Sequence, residues 1–275
     1  MEELMPKFSA NLSFLFPDLP FLERFRAASA AGFRAVEFAF AYDHPPQDVA
    51  AAARAAGVEV VLMNMPPGDW SGGERGLAAV AGREAAFRDS LEQAIRYAEA
   101  TGCRRLHAMA GASTACREEV FVANLASAAQ RLSTFGIALL IEPINLIDMP
   151  GYFLTLPEQA RRIIDRVGHP NLFLQLDLYH CQIMRGDLAR QIEAHLPLIR
   201  HMQIAGNPGR NEPDIGEINY PYLFGIIDES GYGGWVGCEY RPAGDTRAGL
   251  GWAKRYLART ASGAERALDE SREPN

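Results

Sequence analysis

The stretch PEQARRIIDRVGHPNLFLQLDLYH, Pro157–His180, holds one complete structural unit. Pro157–Val167 is amphipathic at helical spacing. Gly168 stands where a helix closes, since glycine adopts the left-handed C-cap conformation without penalty. Leu172–Leu178 is then an apolar run of strand length, and a carboxylate, Asp177, sits at its end. The same helix–glycine–strand punctuation recurs upstream in AAGFRAVEF (Ala30–Phe38), AAGVEVVLM (Ala55–Met63), ATGCRRLHAM (Ala100–Met109) and TFGIALLIE (Thr134–Glu142).

Extended along the chain, this pattern predicts eight strands: Phe8–Leu12, Ala35–Phe40, Glu59–Met65, Arg105–Ala110, Ile137–Ile144, Leu172–Leu178, His201–Ala205 and Trp235–Tyr240. Eight helix-like segments follow them: Phe21–Ala31, Pro46–Ala56, Arg83–Thr101, Glu118–Phe135, Pro157–Val167, Asp187–His195, Tyr220–Glu229 and Thr246–Leu257. Strands alternating with helices call for a parallel α/β sheet. Eight such units close on themselves as a single-domain (β/α)₈ barrel, the TIM-barrel architecture. An open doubly wound sheet is the alternative, but no GxGxxG follows the first strand to support its dinucleotide-binding form. The barrel is expected over residues 1–260, with a polar tail over 261–275.

Composition narrows the function. The chain has 275 residues, 48% of them hydrophobic, which is ample for a large core. A net charge of −7 and the lack of a Lys/Arg stripe argue against a nucleic-acid partner. Cys103, Cys116, Cys181 and Cys238 lack CxxC spacing, so neither a disulfide framework nor a zinc site is expected. Met1–Lys7 is charged and Phe8–Phe16 is broken by Ser9, Asn11 and Ser13, unlike a signal peptide. No apolar run reaches membrane-spanning length. A reducing cytoplasm fits these features best, with neither a nucleic-acid nor a membrane partner expected.

Four polar residues end four apolar runs: Glu142 in IALLIEPIN, Asp177 in LFLQLDLYH, Gln203 in IRHMQIAGN and Glu239 in GWVGCEYRP. The ends of barrel strands converge at the mouth where this fold does its chemistry. Alternation along each strand puts Leu140, Glu142 and Ile144 on one face, with Gln175 and Asp177, His201 and Gln203, and Gly237 and Glu239 paired likewise. Helices cover the outer face, so these groups belong inside. Three carboxylates and an amide repel one another unless a hard divalent cation stands between them; an all-oxygen set suits Mg²⁺ or Mn²⁺. A cation holding substrate oxygens beside a carboxylate base is suited to proton transfer next to a carbonyl. Each residue taken alone could instead make a structural hydrogen bond. Four at matching strand ends favour a site.

The chain resembles the hydroxypyruvate isomerase family, within the xylose-isomerase-like barrels that include sugar epimerases. The resemblance rests on FSANLSFLF, FLERFRAASAAGFRAVEF, NMPPGDWSGGERG, REAAFRDSLEQAIRYA, LLIEPIN, QLDLYHCQ, HMQIAGNPGRNEPDIGEINY and GYGGWVGCEYRP, which span nearly the whole chain. It implies that Glu142 and Glu239 are the catalytic pair, and that Glu142, Asp177, Gln203 and Glu239 hold the metal. Gln203 replaces a histidine found in the sugar epimerases. His180 matches a residue contacting a substrate oxygen, and Arg210 one that reaches the substrate. The implied reaction interconverts hydroxypyruvate and tartronate semialdehyde (2-hydroxy-3-oxopropanoate). A 2-oxotetronate isomerase, a ketose 3-epimerase and a non-catalytic small-molecule sensor are the alternatives.

Such a substrate carries a carboxylate, for which Arg75, Arg210 and Arg241 are the candidate partners. Asn64 and His107, at strand ends, are candidate pocket residues, as are Asn11 and Asn145. The Gly-rich segment 66–82, with Trp70 and Arg75, reads as a lid, and a second long loop spans Asn207–Asn219. Two positions depart from the family: Met63, where it often has a histidine, and Gly206, where it often has an acid. Aromatic residues over 14–21 and 38–42 fit a homo-oligomer face and core packing equally.

Overall fold

The computed structural model describes residues 6–257. The expected tail over 261–275 lies outside the described residues. Eight parallel strands close into a barrel in sequence order: β1 (Lys7–Asn11), β2 (Ala35–Phe38), β3 (Glu59–Asn64), β4 (Arg105–His107), β5 (Ala138–Ile141), β6 (Leu172–Asp177), β7 (Ile199–Ile204) and β8 (Trp235–Cys238), with β8 pairing back to β1. The helices between them are α1 (Phe21–Ala30), α2 (Pro46–Ala56), α3 (Glu84–Thr101), α4 (Glu118–Ser133), α5 (Pro157–Val167), α6 (Leu178–Met184), α7 (Leu188–His195), α8 (Tyr220–Glu229) and α9 (Thr246–Gly249).

The local chemistry accounts for these elements. Helices α2 and α5 both start on a proline whose missing N–H costs nothing in the first turn. Both end on a glycine with φ of 65°, Gly57 and Gly168. The outer faces of the strands are apolar and meet the helices: Phe8 packs edge-on against Phe224, Trp252 and Tyr256 at 5.1 to 5.2 Å. The inner faces are polar towards the mouth, where Ser9 and Asn11 of β1, Glu37 of β2 and Gln203 of β7 join by side-chain hydrogen bonds.

Two features differ from the sequence reading. Helix α6 begins directly after Asp177, whose carboxylate accepts the N–H of Tyr179 and caps it. An apolar run that ends in a capping residue hides the helix that follows. The single helix expected over Thr246–Leu257 is instead α9 followed by a 3₁₀ turn, Leu250–Ala253. Gly249 and Gly251 fall at this junction, where they weaken a continuous helix. Among the described residues no helix is long and apolar enough to cross a membrane, and all four cysteines are buried and unpaired.

Candidate active site

Glu142 and Glu239 are the first residues beyond β5 and β8, while Asp177 and Gln203 lie within β6 and β7. A cavity of about 530 Å³ opens at this end of the barrel. Glu142, Glu239, His180, Arg210, Asn64, Arg75 and Arg241 line it. Asp177, Gln203 and His107 stand behind this surface, each no more than 1% exposed. A second cavity, lined by Arg105, Arg200 and Gly231–Gly234, sits at the opposite end, against the starts of β4, β7 and β8. In this fold that end serves stability rather than chemistry.

Glu142, Asp177, His180 and Glu239 bring one ligand atom each to within 4.8 Å of one another. Glu142 Oε1 and Asp177 Oδ2 are buried and accept no hydrogen bond among the described residues. Burial, with Glu239 and Asp177 nearby, pushes the Glu142 carboxyl well above its usual range. Burial also raises Asp177, against the pull of Arg210. Glu239 is pushed up to about 8 for the same reason, with Arg210 again opposing. Unpartnered buried carboxylate oxygens in an oxygen-rich cluster are what a hard divalent cation satisfies, so these residues fit one.

Arg210 enters this cluster from the loop after β7, with a backbone φ of 53° in the left-handed region. Its Nη2 donates to Glu239 Oε2 at 2.6 Å and lies 3.7 Å from Asp177 Oδ2. Its Nη1 reaches Asp148 Oδ2 at 3.4 Å. The guanidinium also lies 4.9 and 5.0 Å from the rings of Phe14 and Tyr179.

The tautomer of His180 follows from Asn145. Asn145 Oδ1 accepts the backbone N–H groups of Ile147 and Asp148, so its amide nitrogen must be the group facing His180 Nδ1, at 2.6 Å. Nδ1 therefore accepts, and the neutral ring carries its proton on Nε2. Burial first, then Arg210 and His107, hold His180 well below its usual pKa, which keeps it neutral. Nε2 lies 3.5 Å from Asp177 Oδ2. As a protonated nitrogen it donates hydrogen bonds and offers no lone pair to a cation.

Beneath these groups lies a network that the sequence reading did not single out. Glu37 is fully buried in β2. Its Oε2 accepts from Ser9 Oγ at 2.7 Å and faces His201 Nε2 at 2.8 Å. Its Oε1 accepts from Gln203 Nε2 at 2.8 Å and Asn11 Nδ2 at 3.1 Å. Burial opposes ionisation, but His201 and the bonds from Ser9 and Gln203 outweigh it, and the Glu37 carboxyl lies below its usual range. A Cβ at Gly237 would collide with this carboxylate, so the glycine in GWVGCEY makes room for it. Gln203 is fixed by the same network: its nitrogen points at Glu37 and its oxygen accepts from Gln175 at 2.7 Å, leaving one lone pair for a ligand. Asn11 also donates to Glu239 Oε1 at 3.1 Å, which links the network to the mouth. The signal for Glu37 was present, because it is a carboxylate inside the apolar run AVEF.

The remaining candidates sit around the rim and wall. His107 Nδ1 is 3.1 Å from Asn64 Oδ1 and 3.5 Å from Glu142 Oε2. Burial lowers His107 to about 3, so it is neutral. Arg75 stacks over the Trp70 ring at 4.0 Å and donates to the carbonyls of Trp70 and Glu74. Trp70 in turn packs on Phe40 at 5.3 Å, which puts the segment 66–82 over one side of the cavity. Arg241 is exposed. Met63 is buried in the core. Gly206 lets the following loop fold back, since a Cβ there would overlap the carbonyls of Ile215 and Glu212.

Comparison with known proteins agrees with the fold. The xylose isomerase-like TIM barrel family matches residues 25–256. The chain is 51% identical over 261 residues to a 2-oxo-tetronate isomerase of Cupriavidus necator, covering 93% of this chain and all of that one. It is 47% identical over 257 residues to the hydroxypyruvate isomerase of Escherichia coli K12, covering 92% of this chain and all of that one. A crystal structure described as an AP endonuclease, family 2, from Brucella melitensis superposes with a TM-score of 0.90 at 50% identity, over 92% of this chain and 99% of that one. The chain belongs to the xylose isomerase-like TIM barrel family.

Proposed function

We propose that this protein is an isomerase of small hydroxy-oxo acids, and that it interconverts hydroxypyruvate and 2-hydroxy-3-oxopropanoate. The observation that carries this reading is the cluster of Glu142, Asp177, His180 and Glu239 within 4.8 Å at the barrel mouth. Relatives near 50% identity named for this chemistry support it. Glu142, Asp177 and Glu239, with the free lone pair of Gln203, would hold Mg²⁺ or Mn²⁺. When bound, the cation supplies Lewis-acid stabilisation to the negative charge that develops on the substrate oxygens.

The chain's own residues do the rest. One of the two glutamates removes a proton from the hydroxymethyl carbon of hydroxypyruvate, leaving an enediolate. His180 Nε2–H donates to the oxygen on which charge develops. The second glutamate returns a proton to the adjacent carbon, and the hydroxyl proton passes between the two oxygens. No atom is gained or lost. The substrate carboxylate pairs with an arginine of the rim, Arg75, Arg210 or Arg241. Trp70 and Arg75 shield that side of the cavity from water. Buried unpaired thiols suit a reducing cytoplasm.

A 2-oxotetronate substrate is the second reading, favoured by the relative of that name. The same proton transfer serves it with one more carbon in the cavity. A net charge of −7 opposes a nucleic-acid substrate. The deciding assay measures turnover of hydroxypyruvate, 2-oxotetronates and ketoses by the parent protein and by Glu142→Gln and Glu239→Gln, with added Mg²⁺ or Mn²⁺ and after chelation. General acid–base catalysis is worth roughly 10² to 10⁴ in rate, so each folded variant should lose at least about a hundredfold. Near-normal turnover in both sinks the reading.

A further inference from the structure

The Glu239 carboxylate has no idle oxygen. Asn11 Nδ2 donates to Oε1 at 3.1 Å, and Arg210 Nη2 donates to Oε2 at 2.6 Å. Asn11 cannot turn away, because its other bonds fix both ends of the amide. Its nitrogen also serves Glu37, and its oxygen accepts the N–H of Ser13 at 3.0 Å. Of the two Glu239 oxygens, Oε2 is the one that shares the Arg210 nitrogen with Asp177. The same Nη2 lies 3.7 Å from Asp177 Oδ2, the buried oxygen without a hydrogen bond, and 3.5 Å from His180 Nε2. The guanidinium thus stands between two carboxylate oxygens that would help to hold a divalent cation. Two positive centres cannot share that gap.

We propose that Arg210 is the resident cation of the carboxylate cluster, and that a divalent cation binds only as the guanidinium gives up Glu239 Oε2. The surroundings give Arg210 somewhere to go. It already lines the cavity, its face lies against the rings of Phe14 and Tyr179, and Asp148 offers a second anionic partner on the cavity side. A short turn of the guanidinium against those rings would carry its nitrogens toward the cavity. There they meet a substrate carboxylate. Cation and anionic substrate therefore favour each other, because each takes a partner that the other's arrival releases. This second half rests on the isomerase reading; the first half does not.

The test is calorimetric titration of Mn²⁺ into the substrate-free protein, for the parent chain, Arg210→Met and Arg210→Lys. Arg210→Met should bind Mn²⁺ at least tenfold more tightly than the parent, and Arg210→Lys should stay closer to the parent because it keeps a competing charge. If Arg210→Met does not fold, Arg210→Gln, which keeps a donor without the charge, carries the same expectation. Equal or weaker Mn²⁺ binding by the neutral variant overturns the proposal, as does the absence of Mn²⁺ binding in every variant. The titration contains no substrate. Failure to turn over hydroxy-oxo acids would leave its result standing, and an active isomerase with unchanged Mn²⁺ affinity in Arg210→Met would overturn this inference alone.

Discussion

Replacing Glu37 by alanine should cost far more stability than an average core substitution. The carboxylate is fully buried and joins four side chains: Ser9 and Asn11 on one neighbouring strand, His201 and Gln203 on a strand across the barrel. Glu37→Ala removes the partner of a buried His201 and strands three further buried polar groups. The carboxylate meets four buried polar partners, His201 among them, and all four lose their acceptor. Each stranded donor adds about 1 kcal/mol or more unless it finds a new acceptor. A loss near 4 kcal/mol is therefore the floor, out of a total of about 5–15 kcal/mol for a typical domain. Glu37→Gln keeps the shape, and its new amine can be met by rotation of the Ser9 hydroxyl and by the other tautomer of His201, so a loss of roughly 2 kcal/mol is expected. Gly237→Ala approaches the same carboxylate from the opposite side. The added methyl overpacks the site, at about 1–3 kcal/mol. Glu37→Ala removes the atoms it strikes, so the double variant should be more stable than the two single losses predict. Urea unfolding of the four proteins, with midpoint and slope fitted separately, reads all of this. If Glu37→Ala falls within about 1 kcal/mol of the parent, or the two sites prove additive, the network does not hold the barrel as argued.

Two further outcomes follow from the buried histidines. Asn145→Asp presents an oxygen to His180 Nδ1 in place of an amine, which moves the ring proton from Nε2 to Nδ1 and leaves Nε2 unable to donate. The kcat for the preferred oxo-acid should drop by about one to two orders of magnitude with a smaller change in KM, and a KM-only effect would show that the tautomer is irrelevant. His107 is neutral in the folded protein, with its pKa lowered to about 3 by burial, below the usual unfolded value near 6.5. Its contribution to stability is whole above pH 6.5 and is lost as pH falls from 6.5 toward 3, by up to roughly 5 kcal/mol. The unfolding free energy of His107→Gln, followed over that range, should decline less steeply than the parent's, and parallel curves would refute the assignment.

How far the chain could be read without its structure depended on whether each residue's partner was local. Gly168 and Pro157 act within a few residues of themselves, so the ends of α5 were legible, and the same helix–glycine–strand punctuation in four more units pointed to the barrel. Glu142, Asp177 and Glu239 were legible because a carboxylate ending an apolar run is locally anomalous. Glu37 breaks the same rule five residues after Gly32, yet the local sequence does not mark it out. Its explanation lies in His201 and Gln203, more than 160 positions away, and in an empty Cβ position at Gly237. No window of sequence contains that group of residues. Arg210 shows the same limit in another form. NPGR marks it as a loop arginine, and nothing local reveals that its nitrogen ends 2.6 Å from Glu239. The strand-end carboxylates are therefore the part of the site that sequence exposes, while the charges that balance them are set by closure of the barrel. A substitution that leaves every strand-end carboxylate in place can still disable the site, through Glu37 below it or Arg210 within it.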